Sequence, residues 1–250
     1  MRRLLYLRYM EIGDEPTQSP KREIILSELR KETGERLSRI DREFADGFDL
    51  INKYNDTVTF FGSARFTSDN PYYRKDEEVA RALSAEGYTI VSGGGGGIME
   101  AADKGASEVG GNAIGLNIQL PNEQQLNPYA TESMAFRYFF IRKVILVFGA
   151  SAYIFFPGGF GTLDEFFEVI TLIQTKKMPL APVICYGSEY WTAVDRLIKA
   201  YLLEGMHTIS PGDETIYSIT EDVEVIKAII NHHRDTANAF TPPPNDPPVL

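Results

Sequence analysis

Short apolar runs alternate along this chain with longer stretches whose apolar positions recur every three or four residues. The first kind reads as buried strands and the second as amphipathic helices. Strands are predicted at Thr57–Phe61, Tyr88–Val91, Asn112–Ile118, Ala152–Phe156 and Ala181–Tyr186, with a last one over Thr215–Ile219. Helices are predicted at Tyr73–Glu86, Ile98–Val109, Phe136–Gly149, the stretch carrying Phe166–Ile173, Tyr190–Leu203 and Glu221–His232. Gly87 suits the end of the first of these helices. Leu120–Met134 reads as a polar loop. Such alternation implies an α/β fold, a Rossmann-like parallel sheet with helices on both faces.

Ahead of it, Ile24, Ile25, Leu29, Leu37, Ile40, Phe44, Phe48 and Ile51 keep helical spacing with charges between them. One or two amphipathic helices follow, and residues 1–55 form an N-terminal helical extension. Residues 56–235 are expected to form the main, Rossmann-like domain. Residues 236–250 are expected to form a disordered tail, because the run from Thr241 to Pro248 is too proline-rich for regular structure.

Composition narrows the partners. A net charge of −10 argues against a nucleic-acid surface, which needs dense Lys and Arg. A small phosphorylated ligand remains open, since local N–H groups and one or two cations suffice for it. Cys185 is the one cysteine, so no intrachain disulfide forms; its apolar run makes it a core thiol. No apolar run approaches the roughly 20 residues of a membrane span, and a cytoplasmic location is expected. His207, His232 and His233 lack ligand spacing, so no metal site is expected.

Two glycine-rich turns carry the chemistry. One is Ser92-Gly93-Gly94-Gly95-Gly96-Gly97; the other is Pro157-Gly158-Gly159-Phe160-Gly161-Thr162-Leu163-Asp164-Glu165. A glycine loop between strand and helix exposes N–H groups at the positive end of a helix dipole, where an anion is stabilised. A dinucleotide fingerprint would put its glycines after the first core strand and an acid at the end of the next. Here the five glycines follow the second strand, and Asn112–Ile118 ends without an acid. A P-loop needs Lys and then Ser or Thr after its last glycine, but Gly97 precedes Ile98 and Gly161 precedes Thr162. Both glycine loops, with Gly62-Ser63-Ala64-Arg65, sit at carboxyl ends of strands, where open sheets bind ligands.

The two motifs together resemble the Lonely Guy (LOG) family of nucleoside 5′-monophosphate phosphoribohydrolases, many of them labelled lysine decarboxylases. The resemblance runs from about Val58 to His232 and includes Phe61–Arg65, Leu120–Gln124 and Phe139–Lys143, runs closer to the longer bacterial branch. In the first motif only Gly96 separates the glycine triplet from Gly97, where the bacterial branch usually has proline. The resemblance implies a catalytic pair, Arg142 and Glu165. It implies substrate contacts from Gly62, Ser63, Gly94, Gly95, Gly97, Glu123, Lys143, Gly158, Gly159, Gly161, Thr162 and Thr171.

The residue types suit the chemistry. Breaking an N-glycosidic bond builds positive charge on ribose, which a carboxylate stabilises while taking a proton from water. An arginine clamps phosphate or hydroxyls, or orients the carboxylate. Each assignment has a structural alternative. Thr162-x-x-Glu165 is also a capping box, Arg142 an exposed helix charge, and Asp164 a competing carboxylate. Lys143 and Glu123 could be solvated. Tyr138, Phe139 and Phe140 read as core or subunit packing rather than a stacking platform for a base.

The expected activity is hydrolysis of AMP, or of an N6-modified AMP of the cytokinin type, to free base and ribose 5-phosphate, without a cofactor. The alternative is a non-catalytic nucleotide or molybdenum-cofactor carrier of the same fold. Lysine decarboxylation lacks the residue constellation that pyridoxal phosphate needs. A homodimer or higher homo-oligomer is expected from the resemblance.

Overall fold

A computed structural model describes residues 20–119 and 126–239. The chain divides into two compact units, residues 1–50 and 51–250. The first unit contributes one continuous helix, α1 (Pro20–Ile51), in which the rings of Phe44 and Phe48 stack 6.1 Å apart. The last helix runs through residue 239, inside the stretch 236–250 expected as a tail, and residues 240–250 lie outside the described residues.

The second unit holds a parallel sheet of β1 (Thr57–Phe61), β2 (Thr89–Ser92), β3 (Ala113–Ile118), β4 (Glu132–Phe136), β5 (Ala152–Phe155), β6 (Val183–Cys185) and β7 (Tyr217–Ile219), in the order β4-β3-β2-β1-β5-β6-β7. Its helices are α2 (Pro71–Ala85), α3 (Ile98–Glu108), α4 (Phe139–Val147), α5 (Phe160–Gln174), α6 (Ser188–Leu197) and α7 (Val223–Ala239). Strand order steps outward from β1 in one direction through β4, then returns to β5 on its other side. Right-handed crossovers therefore put α2 and α3 on one face and α4, α5 and α6 on the other. The switch point falls between β1 and β5, and the loops after β1, β2 and β5 open near it.

Alternation along the strands builds two cores. Val58, Phe60, Ile90, Ile154 and Ile184 point to one face and pack with Val79, Leu83, Ala102, Ile226 and Ile230. Phe61 and Phe155 point to the other, where Phe155, Phe166 and Trp191 form an aromatic cluster with ring centroids 4.8–6.1 Å apart. Small residues on α3 let it approach α2: a Cβ at Gly105 would collide with the Glu77 carbonyl.

Three elements depart from the sequence pattern. β4 lies inside the stretch read as loop and helix. It is an edge strand whose side chains are mostly exposed or half-buried, so it lacks the apolar run that betrays a central strand. Helix α4 consequently starts at Phe139. The helix predicted over Tyr190–Leu203 is α6 continued by a π-helix, Ile198–Gly205.

Candidate functional site

A cleft of about 840 Å³ opens at the switch point. Its walls come from the β1 loop (Gly62–Arg65), from Gly93 and Met99, from Phe139 and Arg142 on α4, and from Pro157–Leu163 and Glu165. Tyr190 closes one side, and its hydroxyl donates to the Gly158 carbonyl at 2.9 Å.

The cradle follows from the glycines. Helix α5 begins at Phe160 with Gly159 as its N-cap. Its first turn therefore aims free N–H groups into the cleft. A Cβ on Gly158 would overlap the Thr162 side chain and stand 3.1 Å from the Ser63 nitrogen, so only glycine fits there. The Ser63 nitrogen donates to the Pro157 carbonyl at 3.1 Å, joining the β1 loop to the cradle.

Thr162 is the third residue of α5 rather than its cap, so the capping box read from Thr162-x-x-Glu165 is not formed. Glu165 stands in the second turn. Helical side chains lean toward the N-terminus, and Glu165 Oε2 lies over Gly161, 3.8 Å from where its Cβ would be. The carboxyl is half-buried. Burial pushes its pKa up to about 7 against the opposing pull of Arg142 and Lys143. A carboxyl in this state exchanges a proton near neutral pH.

Arg142 is 8% exposed rather than a surface charge. Its Nε donates to the Leu116 carbonyl at 2.6 Å and its Nη2 to the Gly93 carbonyl at 3.3 Å. Burial lowers its pKa, and the Glu165 carboxylate partly offsets that. A Cβ at Gly93 would collide with Nη2, so this glycine admits the guanidinium.

Of the residues named from sequence, Arg142, Glu165, Gly62, Ser63, Gly158, Gly159, Gly161 and Thr162 line the one cleft. Gly94, Gly95 and Gly97 do not. Gly94 and Gly97 have positive φ values of 68° and 70° and shape the loop from behind, Gly97 against the Ser63 carbonyl. Lys143 turns away from the cleft to pair with Asp164 at 2.6 Å and Glu168 at 3.3 Å. Asp164, the competing carboxylate, does not line the cleft either. Thr171 is exposed, outside the cleft. Glu123 lies outside the described residues. Phe139 and Phe140 are 57% and 48% exposed rather than core, and Phe139 lines the cleft.

Sequence reasoning missed the support behind the glycine loop. Asp103 on α3 is fully buried, and its Oδ2 accepts from Ser92 Oγ at 2.9 Å and Asn127 Nδ2 at 2.7 Å. Ser92 Oγ accepts from the Gly94 nitrogen at 3.0 Å, and Asn127 also donates to the Gly94 and Gly95 carbonyls. Burial raises the Asp103 pKa to about 7. Fully buried Asp76 on α2 is raised well above the usual carboxylate range by burial and by Asp103 nearby. The spacing Ser92…Asp103, a polar pair bracketing the loop, was the available signal.

The family model described as "Possible lysine decarboxylase" matches residues 99–229. The chain belongs to this family, the LOG family. The LOG chain is 27% identical over 174 residues to a cytokinin riboside 5′-monophosphate phosphoribohydrolase of Rhodococcoides fascians, covering 67% of this chain and 85% of that one. It is 30% identical over 134 residues to an uncharacterized protein of Archaeoglobus fulgidus, covering 52% of this chain and 85% of the other. Its fold matches the X-ray structure of TM1055 with a TM-score of 0.55 at 26% identity, covering 71% of this chain and 99% of that one. It also matches a molybdenum cofactor carrier protein from Chlamydomonas reinhardtii with a TM-score of 0.53 at 18% identity, covering 72% and 99%. The last likeness speaks to the fold alone.

Proposed function

We propose that the protein hydrolyses the N-glycosidic bond of a purine nucleoside 5′-monophosphate, AMP or an N6-modified AMP, to free base and ribose 5-phosphate. The observation that carries this reading is a carboxyl with a near-neutral pKa and a buried arginine facing the same cleft as a glycine cradle at a helix N-terminus. Relatives named as phosphoribohydrolases support it.

In this reading the cradle of Gly158, Gly159, Gly161 and Thr162 takes the 5′-phosphate, which sets ribose over Glu165. The C1′–N bond breaks with its electron pair on the base. The carboxylate stabilises the positive charge on the ribose and takes a proton from the attacking water, whose oxygen bonds C1′. That proton then passes to the departing base. Arg142, held by two carbonyls, keeps its charge beside the reacting centre without side-chain reorganisation. Water is the nucleophile, so no cofactor takes part.

The family's descriptive label fits less well. Decarboxylation of lysine would need a Schiff-base lysine for pyridoxal phosphate. No lysine is among the described residues lining the cleft, and Lys143 is paired with Asp164 and Glu168. A carrier of the same fold would need the cleft but not the proton-exchanging Glu165, which favours the hydrolase. Incubation with AMP, GMP, CMP and isopentenyladenosine monophosphate, followed by chromatography of free base, tests the reading. Release no greater than that of Glu165→Gln would sink it.

A further inference from the structure

We propose that Arg65, on the loop after β1, is the cation that clamps the substrate phosphate against the cradle; this rests on the nucleotide reading above. Arg65 and Arg142 are the two cationic residues among the described residues lining the cleft. Arg142 is fixed to the Gly93 and Leu116 carbonyls and faces Glu165. Arg65 is exposed, and among the described residues its guanidinium has no hydrogen-bond or ion-pair partner.

The backbone that carries Arg65 is held from both sides. The Ser63 nitrogen donates to the Pro157 carbonyl at 3.1 Å, and the Ile98 nitrogen donates to the Ser63 carbonyl at 3.0 Å. The Arg65 nitrogen donates to Ser63 Oγ at 3.2 Å, turning the chain at the cleft edge. Ser63 thus touches the Gly158 wall of the cradle, and a long cationic side chain emerges two residues later with no acid paired to it among the described residues.

Charge balance requires such a group. A phosphate monoester carries about −1.5 to −2 at pH 7, while the start of α5 offers only about +0.5. Arg142 is balanced in part by Glu165. The planar fork of a guanidinium meets two phosphate oxygens at once, which an ammonium does not.

The test compares wild type, Arg65→Ala and Arg65→Lys in steady-state kinetics with AMP and with adenosine, and in calorimetry with ribose 5-phosphate. Arg65→Ala is expected to raise KM for AMP about 10- to 100-fold, with a smaller change in kcat and a matching loss of ribose 5-phosphate affinity. Arg65→Lys recovers part of both. Adenosine kinetics and the thermal midpoint stay unchanged, because the side chain has no partner to lose. Retention of AMP KM and ribose 5-phosphate affinity within about twofold overturns the proposal, as does an equal loss on AMP and adenosine. If wild type binds ribose 5-phosphate through Arg65 but releases no base, the clamp stands and the hydrolase reading alone fails.

Discussion

Replacing Glu165 by Gln keeps the volume of the side chain and removes its ability to accept a proton. The wild-type carboxyl has its pKa raised to about 7 by burial. If the ionised form is required, kcat/KM for AMP should reach a plateau above that value. Below it the rate should fall about tenfold per pH unit, so that near pH 5 about one molecule in a hundred is competent. Glu165→Gln should lose about 10²- to 10⁴-fold in kcat, the usual contribution of general acid–base groups. It should also lose the acid limb near pH 7, while affinity for ribose 5-phosphate persists through the cradle. The assay is free adenine by chromatography across pH 5 to 9. A wild-type profile flat through pH 7, or a Gln variant within threefold of wild type, would refute the assignment of Glu165 as the base.

Adjacent glycines of the cradle should respond differently. Gly158→Ala should abolish phosphate binding and destabilise the fold, because its Cβ would stand 2.6 Å from Thr162 Cβ. Gly159→Ala meets nothing within 4 Å and should keep the wild-type melting temperature, as calorimetric scanning would check. Arg142→Met should cost about 1–3 kcal/mol in urea unfolding by leaving two buried carbonyls unpaired, besides removing activity. Asp103 has its folded pKa raised above the unfolded value, so its stabilisation is full below that value and is lost as pH rises through about 7. Thermal midpoints should therefore decline from pH 5 to 8 in wild type and less steeply in Asp103→Asn; a wild-type midpoint rising over that window would contradict the buried carboxyl. Phe140, Val144 and Phe148 form an exposed apolar row on α4 and its end, which supports self-association; a solution mass near 28.1 kDa at micromolar concentration would oppose it.

Much of this architecture was legible because a parallel sheet buries both faces of its central strands, leaving apolar runs such as Thr57–Phe61 and Ala152–Phe155. The edge strand β4 was not, since Glu132, Ser133 and Met134 carry no such run and its pairing is set by β3. The cradle was legible because positional demands on glycine are local. Distinguishing Gly93, which admits the Arg142 guanidinium, from Gly94 and Gly97, which bend the loop, required the distant partner on α4. The same holds for Lys143. Next to Arg142 in sequence, it lies about 100° around the helix, and the acids of α5 claim it. Asp103 reads as an ordinary polar face of α3 until the packing of α2 on α3 buries it.

The tie between Tyr190 and the cradle has an optical consequence. The one tryptophan of the chain, Trp191, is the next residue, buried with its ring 5.1 Å from that of Tyr190. The Tyr190 hydroxyl donates to the Gly158 carbonyl, so an anion bound at the proposed cradle would tug on the immediate neighbour of the indole. Intrinsic emission, excited at the red edge to spare the tyrosines, should then report occupancy of the cleft without any label. The fold has placed its own fluorophore directly behind the loop proposed to receive the ligand.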